Sequence, residues 1–315
     1  MEQLFTSGGM EIAGHLALPR SAPGNWVPGL VVCHGFPPVR NAARVSAKSF
    51  PELADRIATE LGWKVLVFTF RGCGDSVGNF SFRGWLDDLA SAVRFLRRQQ
   101  DVSGIWTAGF GTGGALAICG AARDPSIKGV AAVSAPADFD DWANHPRRLL
   151  QHAREVGLIH DPSFPSGFDS WAREVREVRA IACVRELAPR PLLVLHGSED
   201  DAVPVFDARV LADAHGDADL RIIEGGPHQL RHDPRAVAVL LGWLDRQRNQ
   251  AAAARVTDPQ PPTEPILPPP PGEDGADAQL RTANTLASDA GGSVASPPMG
   301  AREPPPTGPP VLRGF

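Results

Sequence analysis

The chain has little of what a membrane, secreted or nucleic-acid-binding protein needs. No segment approaches the run of about 18 apolar residues that spans a membrane, and residues 1–14 lack the charged start and apolar run of a signal peptide. The net charge is −5 and the basic residues are scattered, so no basic stripe is broad enough to follow a phosphate backbone. We therefore expect a cytoplasmic protein that binds neither membranes nor nucleic acid.

Cysteine is also scarce, and its spacing is uninformative about metals. The four cysteines are Cys33, Cys73, Cys119 and Cys183. They show no metal-ligand spacing, and no cluster of His, Asp or Glu supplies one. In the expected compartment the cysteines would remain reduced. The sequence therefore predicts neither a metal nor another cofactor.

The last part of the chain lacks core-forming side chains. Residues 249–315 contain 15 of the 31 prolines and one aromatic residue, Phe315. A segment with so few bulky apolar residues cannot offset the entropy of ordering, so we predict a disordered, proline-rich tail with at most weak protein contacts. Residues 1–248 remain, which are enough for one domain with a substantial core.

Within residues 1–248, short apolar runs alternate with amphipathic segments. The predicted hairpin is 3–7 and 10–18, the later strands are 30–33, 64–70, 105–108, 128–134, 191–196 and 220–224, and the helices are 47–61, 82–99, 112–122, 205–214 and 232–247. Strands without polar alternation, each followed by a helix, indicate an α/β fold with a doubly wound, mostly parallel sheet. Residues 139–187 interrupt this alternation with charged helical segments, and we predict that they form a small lid over one edge of the sheet.

The loops that follow the predicted strands carry the functional signal, because ligands of such sheets bind beyond the carboxyl ends of the strands. Five loops stand out, which are His34-Gly35-Phe36-Pro37, Arg71-Gly72-Cys73-Gly74-Asp75-Ser76, Gly109-Phe110-Gly111-Thr112-Gly113, His196-Gly197-Ser198-Glu199-Asp200-Asp201-Ala202-Val203-Pro204 and Gly225-Gly226-Pro227-His228. In this order they resemble the α/β-hydrolase superfamily, on its dienelactone hydrolase, serine aminopeptidase and prolyl oligopeptidase side. The resemblance covers essentially all of residues 1–248.

The resemblance implies roles for particular residues and also shows a departure. The family has Gly-x-Ser-x-Gly between a strand and a helix, whereas Gly111 stands at the serine position here. Thr112 is not a shifted nucleophile, because Phe110 would then occupy a position that needs a small residue. The resemblance implies that His228 is the base, that Asp200 orients it, and that the N–H groups of Phe36 and Thr112 form an oxyanion hole.

Each assignment has a plainer alternative. His232 competes with His228 as the base, and Asp200 beside Asp201 is also typical of a turn before a helix. His34 and His196 are expected to organise their loops. A larger set of residues has an open role: Ser76 and Ser134 as displaced nucleophiles, and Trp142, Trp171 and Phe168 as either pocket lining or lid packing.

Two functions therefore compete. In the first, the chain is non-catalytic or strongly impaired in acyl transfer and binds a small acyl or carbonyl ligand, or a protein, in the pocket. In the second, it hydrolyses esters or amides with a water activated by His228, or with a nucleophile outside the elbow. A minor alternative is dinucleotide binding, since 109–114 also fits G-x-G-x-x-G, but the nearest acid after the next strand, Asp138, lies beyond a proline.

Overall fold

One sheet forms the centre of the molecule. The computed structural model describes residues 1–20, 26–37, 39, 42–45 and 49–257. Within these residues the strands are β1 (Glu2–Ser7), β2 (Met10–Ala17), β3 (Val27–Cys33), β4 (Lys64–Phe68), β5 (Val102–Phe110), β6 (Ile127–Val133), β7 (Leu192–Gly197) and β8 (Asp219–Ile223). Their order in the sheet is β1-β2-β4-β3-β5-β6-β7-β8. All pairs from β4 to β8 are parallel, while β1 pairs with β2 and β2 with β4 in antiparallel fashion.

The helices connect these strands in the predicted alternation. They are α1 (Phe50–Leu61), α2 (Phe82–Arg97), α3 (Thr112–Arg123), α4 (Asp140–Asn144), α5 (Pro146–Glu155), α6 (Phe168–Glu177), α7 (Ala180–Cys183), α8 (Val205–His215) and α9 (Pro234–Thr257). Short 3-10 turns lie at Ala42–Val45, Val184–Leu187 and Leu230–His232.

Two apolar cores cover the two faces of the sheet. Helices α1 and α9 pack on one face, where Ile57 and Trp243 are buried against Val32 and Leu195. Helices α2, α3 and α8 pack on the opposite face, together with residues of the lid. Every residue of β3 is buried, as expected for a strand covered on both sides. The predicted doubly wound, mostly parallel sheet is confirmed.

The lid packs on aromatic side chains that follow two central strands. The ring of Trp142 lies 4.9 Å from that of Phe36, after β3, and the indole N–H of Trp171 donates to the Phe80 carbonyl, after β4. Both tryptophans are buried, so their role here is lid packing. The lid therefore lies above the carboxyl ends of β3 and β4 rather than over an edge, because these loops offer the apolar surface that it buries.

A buried ion pair fixes the loop after β4. The Arg71 guanidinium lies 2.6 Å from the Asp88 carboxylate on α2, and Asp88 also accepts the Arg71 backbone N–H. The Trp85 indole donates to the Arg71 carbonyl. This pair connects the loop to α2, and the spacing of Arg71 and Asp88 in the sequence does not predict it.

The last described helix runs past the predicted end of the domain. Helix α9 continues to Thr257, beyond the expected boundary after Arg248. The remainder of the predicted tail, residues 258–315, lies outside the described residues, so its disorder and its protein contacts stay predictions. Among the described helices, none is long and apolar enough to cross a bilayer.

Candidate active site

The turn between β5 and α3 has a backbone that favours glycine. Strand β5 ends at Phe110 and α3 begins at Thr112, so Gly111 alone makes the turn. Its φ and ψ are 54° and −127°, a region that side-chain-bearing residues enter only with strain. The turn is held in place because the Gly111 N–H donates to the Val133 carbonyl of β6 at 2.8 Å.

The residues two positions before and after Gly111 must also be small. A Cβ on Gly109 would lie 2.1 Å from the Gly113 carbonyl oxygen, and a Cβ on Gly113 would lie 2.3 Å from the His34 carbonyl oxygen. Both distances are far shorter than any real contact of a Cβ. Close backbone packing at this turn, rather than a bound group, therefore accounts for these two glycines. The Phe110 side chain points to the face of the sheet that α1 and α9 cover, where its ring lies 5.0 Å from that of Phe50.

The loops after β7 and β8 are joined to each other by their backbones. The Ser198 N–H donates to the Ile223 carbonyl, and the Glu199 N–H donates to the Gly226 carbonyl. Gly197 lies so close to Gly226 that a Cβ would be 2.1 Å from its carbonyl oxygen. The two loops therefore hold their next side chains in a fixed relation.

Those side chains are Asp200 and His228, which form a direct contact. His228 Nδ1 lies 2.8 Å from Oδ2 and 3.0 Å from Oδ1 of Asp200. Because a carboxylate only accepts, Nδ1 carries the proton and donates it to Asp200. Nε2 of His228 is then left with its lone pair, as a general base requires. His232, the alternative base, takes no part in this contact.

Asp200 is held as a carboxylate by several donors. Its side chain is fully buried, and it accepts the N–H groups of Ala202 and Val203 at 3.0 and 2.7 Å. Burial acts to raise the pKa of Asp200, but hydrogen bonds from His196, His228 and the Val203 N–H lower it well below its usual range. The carboxylate therefore persists at neutral pH and fixes the tautomer of His228.

Nε2 of His228 faces the turn at Gly111. A Cβ built on Gly111 would lie 3.4 Å from His228 Nε2 and 3.7 Å from Cε1. A side chain at this position would thus meet the base directly and in ordinary van der Waals contact. Gly111, His228 and Asp200 therefore lie together, with the His228 ring between the other two residues.

The loop after β3 completes the surroundings of Gly111. Gly35 packs on the turn, since its Cα lies 3.8 Å from the Cβ position of Gly111. His34 Nδ1 donates to the Gly35 carbonyl, and His34 Nε2 accepts the Phe70 N–H, so this buried ring organises the loop as expected. Phe36 follows directly. Thr112 lies on the other side of the turn, and as the first residue of α3 its N–H has no acceptor within the helix.

Comparisons with known proteins bear on the fold that carries these loops. The family described as alpha/beta hydrolase fold matches residues 28–180. A structure of Est1E from Butyrivibrio proteoclasticus with bound ferulic acid superposes with a TM-score of 0.60 at 20% identity, over 80% of this chain and 99% of that one. The esterase Pf2001 of Pyrococcus furiosus superposes with a TM-score of 0.57 at 17% identity, over 79% of this chain and 91% of that one. The chain has an α/β-hydrolase fold.

Relatives detected by sequence extend the resemblance to further bacterial chains. Protein Rv2307c of Mycobacterium tuberculosis is 29% identical over 227 residues, covering 66% of this chain and 75% of its own. YqkD of Bacillus subtilis is 25% identical over 231 residues, covering 71% of each chain. The names of these relatives assign no activity to the chain.

The other candidate nucleophiles of this α/β-hydrolase fold lie in different surroundings. Ser76 accepts the Ala13 N–H and bonds to Thr69, so it anchors the β1–β2 hairpin. Ser134 directly follows β6 and Gly111 directly follows β5, each one residue beyond the Phe110–Val133 pair that ends this ladder, and the φ of Ser134 is 50°. Its buried hydroxyl has no hydrogen-bond partner among the described residues. Ser134 is therefore the stronger of the two as a displaced nucleophile.

The residues that suggested a nucleotide site have packing and ion-pairing roles in this fold. Gly114, the last glycine of the G-x-G-x-x-G pattern, packs so closely that a Cβ would lie 2.8 Å from that of Ala135. Asp138 accepts the Asp140 N–H and lies 3.5 Å from Arg179 of the lid. As for metals, no group of three or more His, Cys, Asp or Glu within the described residues has the geometry to bind one.

The sequence analysis missed one contributor to the acid loop. His196 was expected only to organise its loop, yet its Nε2 lies 3.2 Å from Asp200 Oδ2 and 3.0 Å from the Val203 carbonyl oxygen. Both partners are acceptors, so Nε2 carries the proton. The spacing of four residues between His196 and Asp200 is the sequence feature that hints at this contact. Whether the two side chains meet depends on the conformation of the loop between them.

Proposed function

We propose that this chain binds a small acyl or carbonyl ligand above Gly111 and lacks serine-based acyl transfer. One observation carries the proposal: a Cβ on Gly111 would lie 3.4 Å from the basic nitrogen of His228, so the side chain that would attack an acyl group is missing. We further propose that the chain derives from the dienelactone hydrolase, serine aminopeptidase and prolyl oligopeptidase side of the fold.

The backbone around Gly111 suits a carbonyl oxygen. The Thr112 N–H lies at the positive end of α3, where partial negative charge is favoured. Phe36, on the loop that packs against the turn, would supply a second N–H. These donors belong to the backbone and do not depend on the identity of residue 111. The ferulic acid bound to Est1E in a chain of the same fold supports a carboxylic or acyl ligand.

A second candidate function is hydrolysis by an activated water. The observation that favours it is the complete His228–Asp200 pair, with Nε2 facing the space over Gly111. A water there would have the base within reach. Well-studied triads without their nucleophile retain acceleration of roughly 10³–10⁴ over water, about 10⁶ below the intact enzymes. Such activity would be weak and dependent on His228.

Ester hydrolysis separates the two functions. We expect that the native protein does not hydrolyse p-nitrophenyl acetate faster than the uncatalysed background. Gly111→Ser should gain turnover, and the addition of His228→Ala should abolish that turnover. Gly111→Ala is the matched control, since it adds the Cβ without the hydroxyl. The serine of Gly111→Ser should also react with a dialkyl p-nitrophenyl phosphate, so that p-nitrophenolate leaves and the protein gains the mass of one dialkylphosphoryl group.

Turnover by the native protein would contradict the proposal. If His228→Ala abolished that turnover while Ser134→Ala left it intact, an activated water would be responsible. If Ser134→Ala abolished it, the hydroxyl beside Gly111 would be the nucleophile. Binding has its own readout: carboxylic acids and ketones should shift the NMR signals of the His228 ring, identified by their loss in His228→Ala. A set of such ligands that moves none of these signals would argue against the binding function.

A further inference from the structure

His196 uses its two ring nitrogens unequally. Its side chain is fully buried, and Nε2 lies 3.2 Å from Asp200 Oδ2 and 3.0 Å from the Val203 carbonyl oxygen. Nδ1 has no hydrogen-bond partner among the described residues. Because both neighbours of Nε2 are acceptors, the proton is on Nε2, and the lone pair of Nδ1 is buried without a donor. The ring is therefore placed to serve Nε2 alone.

Two other buried histidines show what a purely structural role looks like in this fold. His34 bonds through both ring nitrogens to backbone groups of the loops after β3 and β4. His215 bonds through both to backbone groups of the residues before β7 and after α8. Organisation of a loop thus does not account for His196, whose Nδ1 has no partner in the described part of the chain while Nε2 reaches Asp200.

The two oxygens of Asp200 are held by different kinds of donor. Oδ1 accepts the N–H groups of Ala202 and Val203 at 3.0 and 2.7 Å. Oδ2 contacts two donors within the described residues, His228 Nδ1 at 2.8 Å and His196 Nε2 at 3.2 Å. Since the backbone donors fix Oδ1 alone, His196 supplies the second contact that keeps the carboxylate plane turned towards the His228 ring.

We propose that His196 is a positioning residue that fixes the tautomer of His228 through Asp200. Nδ1 of His228 keeps its proton because both carboxylate oxygens face it, and Nε2 keeps the lone pair that a base needs. Without the donor at Oδ2 the carboxylate would turn about its Cβ–Cγ bond, and its contact with Nδ1 would weaken. This inference rests on the proposed function only in the use of His228 as a base, and it does not depend on residue 111.

NMR of the full chain tests the proposal, because the nitrogen shifts of a neutral imidazole report which nitrogen carries the proton. At mildly alkaline pH we expect the native His228 ring in the Nδ1–H form and the native His196 ring in the Nε2–H form, each assigned through its own backbone signals. A native His196 protonated on Nδ1 would overturn the proposal. This measurement uses the native protein, so it decides even if a variant fails to fold.

Two substitutions at residue 196 separate the N–H donor from the volume of the side chain. His196→Gln retains a donor and should leave the His228 tautomer unchanged, whereas His196→Leu removes the donor and should produce a mixture that includes the Nε2–H form. His215→Leu is the matched control, since it removes another buried histidine that contacts a carbonyl oxygen. It should lower stability without changing the His228 tautomer. An unchanged tautomer in folded His196→Leu, or an equal change in His215→Leu, would overturn the proposal.

A double-mutant cycle shows whether Asp200 carries the effect. With Asp200→Ala in place, His196→Leu should change the His228 tautomer no further, and a further change would contradict the route through Asp200. In the Gly111→Ser background, kcat for p-nitrophenyl acetate should fall about tenfold with His196→Leu and recover with His196→Gln, while KM stays unchanged. Absence of turnover in Gly111→Ser would count against the proposed function alone, because the tautomer is measured independently of turnover.

Discussion

The turn at Gly111 and the acid–histidine pair lie side by side but are defined by different parts of the chain, the first by its backbone and the second by its side chains. At Asp200 and His228 both the backbone and the side chains are arranged for proton transfer, with the carboxylate buried and four donors on it. At Gly111 the backbone has the strained turn, but no side chain uses it. The shape of this turn therefore does not depend on the residue that would perform chemistry there.

The physical reason lies in what holds each region. The turn is determined by close backbone packing of Gly109 and Gly113 and by the hydrogen bond from Gly111 to β6, none of which involves a side chain at residue 111. The acid–histidine pair, in contrast, is held by side-chain contacts, so loss of either side chain would alter the other. A different side chain at residue 111 would therefore leave these backbone contacts of the turn in place.

The largest change in the free energy of unfolding is expected for a substitution at Gly113. In Gly113→Ala the new Cβ would lie 2.3 Å from the His34 carbonyl oxygen and 2.8 Å from that of Cys33. Both obstacles are backbone, so β3 or α3 must move, and we expect the free energy of unfolding to fall by about 4 kcal/mol or more. Urea unfolding measures this.

A matched helical glycine provides the control for Gly113. A Cβ on Gly242 of α9 would meet nothing nearer than the flexible end of Arg246 at 4.0 Å. Gly242→Ala should therefore stabilise the protein by about 0.5–1 kcal/mol through helix propensity. Equal effects of the two substitutions would show that packing does not determine the turn.

The sequence predicted more of the fold than of the site, for a physical reason. Apolar runs and amphipathic periods are local, so the strands and helices of the sheet were found with ends displaced by a few residues, as at β5, which extends to both sides of 105–108. The position of the lid depends on which loops offer aromatic side chains, such as Phe36 and Phe80. That information is non-local, and the expected position over an edge was wrong.

Site residues were predictable where a motif fixed the spacing, and not where contact alone defines them. The Asp200 and His228 motifs each end a strand, so their meeting followed from parallel strands. The buried pair of Arg71 and Asp88 joins distant segments without a motif. Only three-dimensional packing brings these residues together.

A second, smaller effect concerns the loop that supports the turn. Burial is the main cause that lowers the pKa of His34 to about 4, with a further contribution from the charge of Arg231, against a hydrogen bond to Gly35 that raises it. In the unfolded chain the pKa is about 6.5, so between these values the unfolded state binds a proton that the native state does not. The native state therefore has its full stability from His34 above about pH 6.5 and loses about 3 kcal/mol as the pH falls to 4.

The substitution His34→Gln isolates this effect. Its side-chain oxygen can accept the Phe70 N–H as His34 Nε2 does, but it does not titrate. Urea unfolding from pH 7.5 to pH 4 should show the difference between native and variant proteins changing by about 3 kcal/mol, whereas the same substitution at exposed His160 should leave the profile unchanged. A parallel profile for His34→Gln would show that His34 titrates normally.

The smallest effect tests residue 111 itself. Gly111→Ala and Gly111→Ser should each lose about 1–3 kcal/mol, because a Cβ fits the space but the backbone at φ 54° is strained for it. The serine hydroxyl would also reach the basic nitrogen of His228 and recover about 1 kcal/mol through a hydrogen bond. In a double-mutant cycle with His228→Ala, this advantage of serine over alanine should disappear. If alanine and serine were equally destabilising with His228 present, the base would not face residue 111 closely enough to accept a proton, and the contrast between an intact pair and an empty turn would fail.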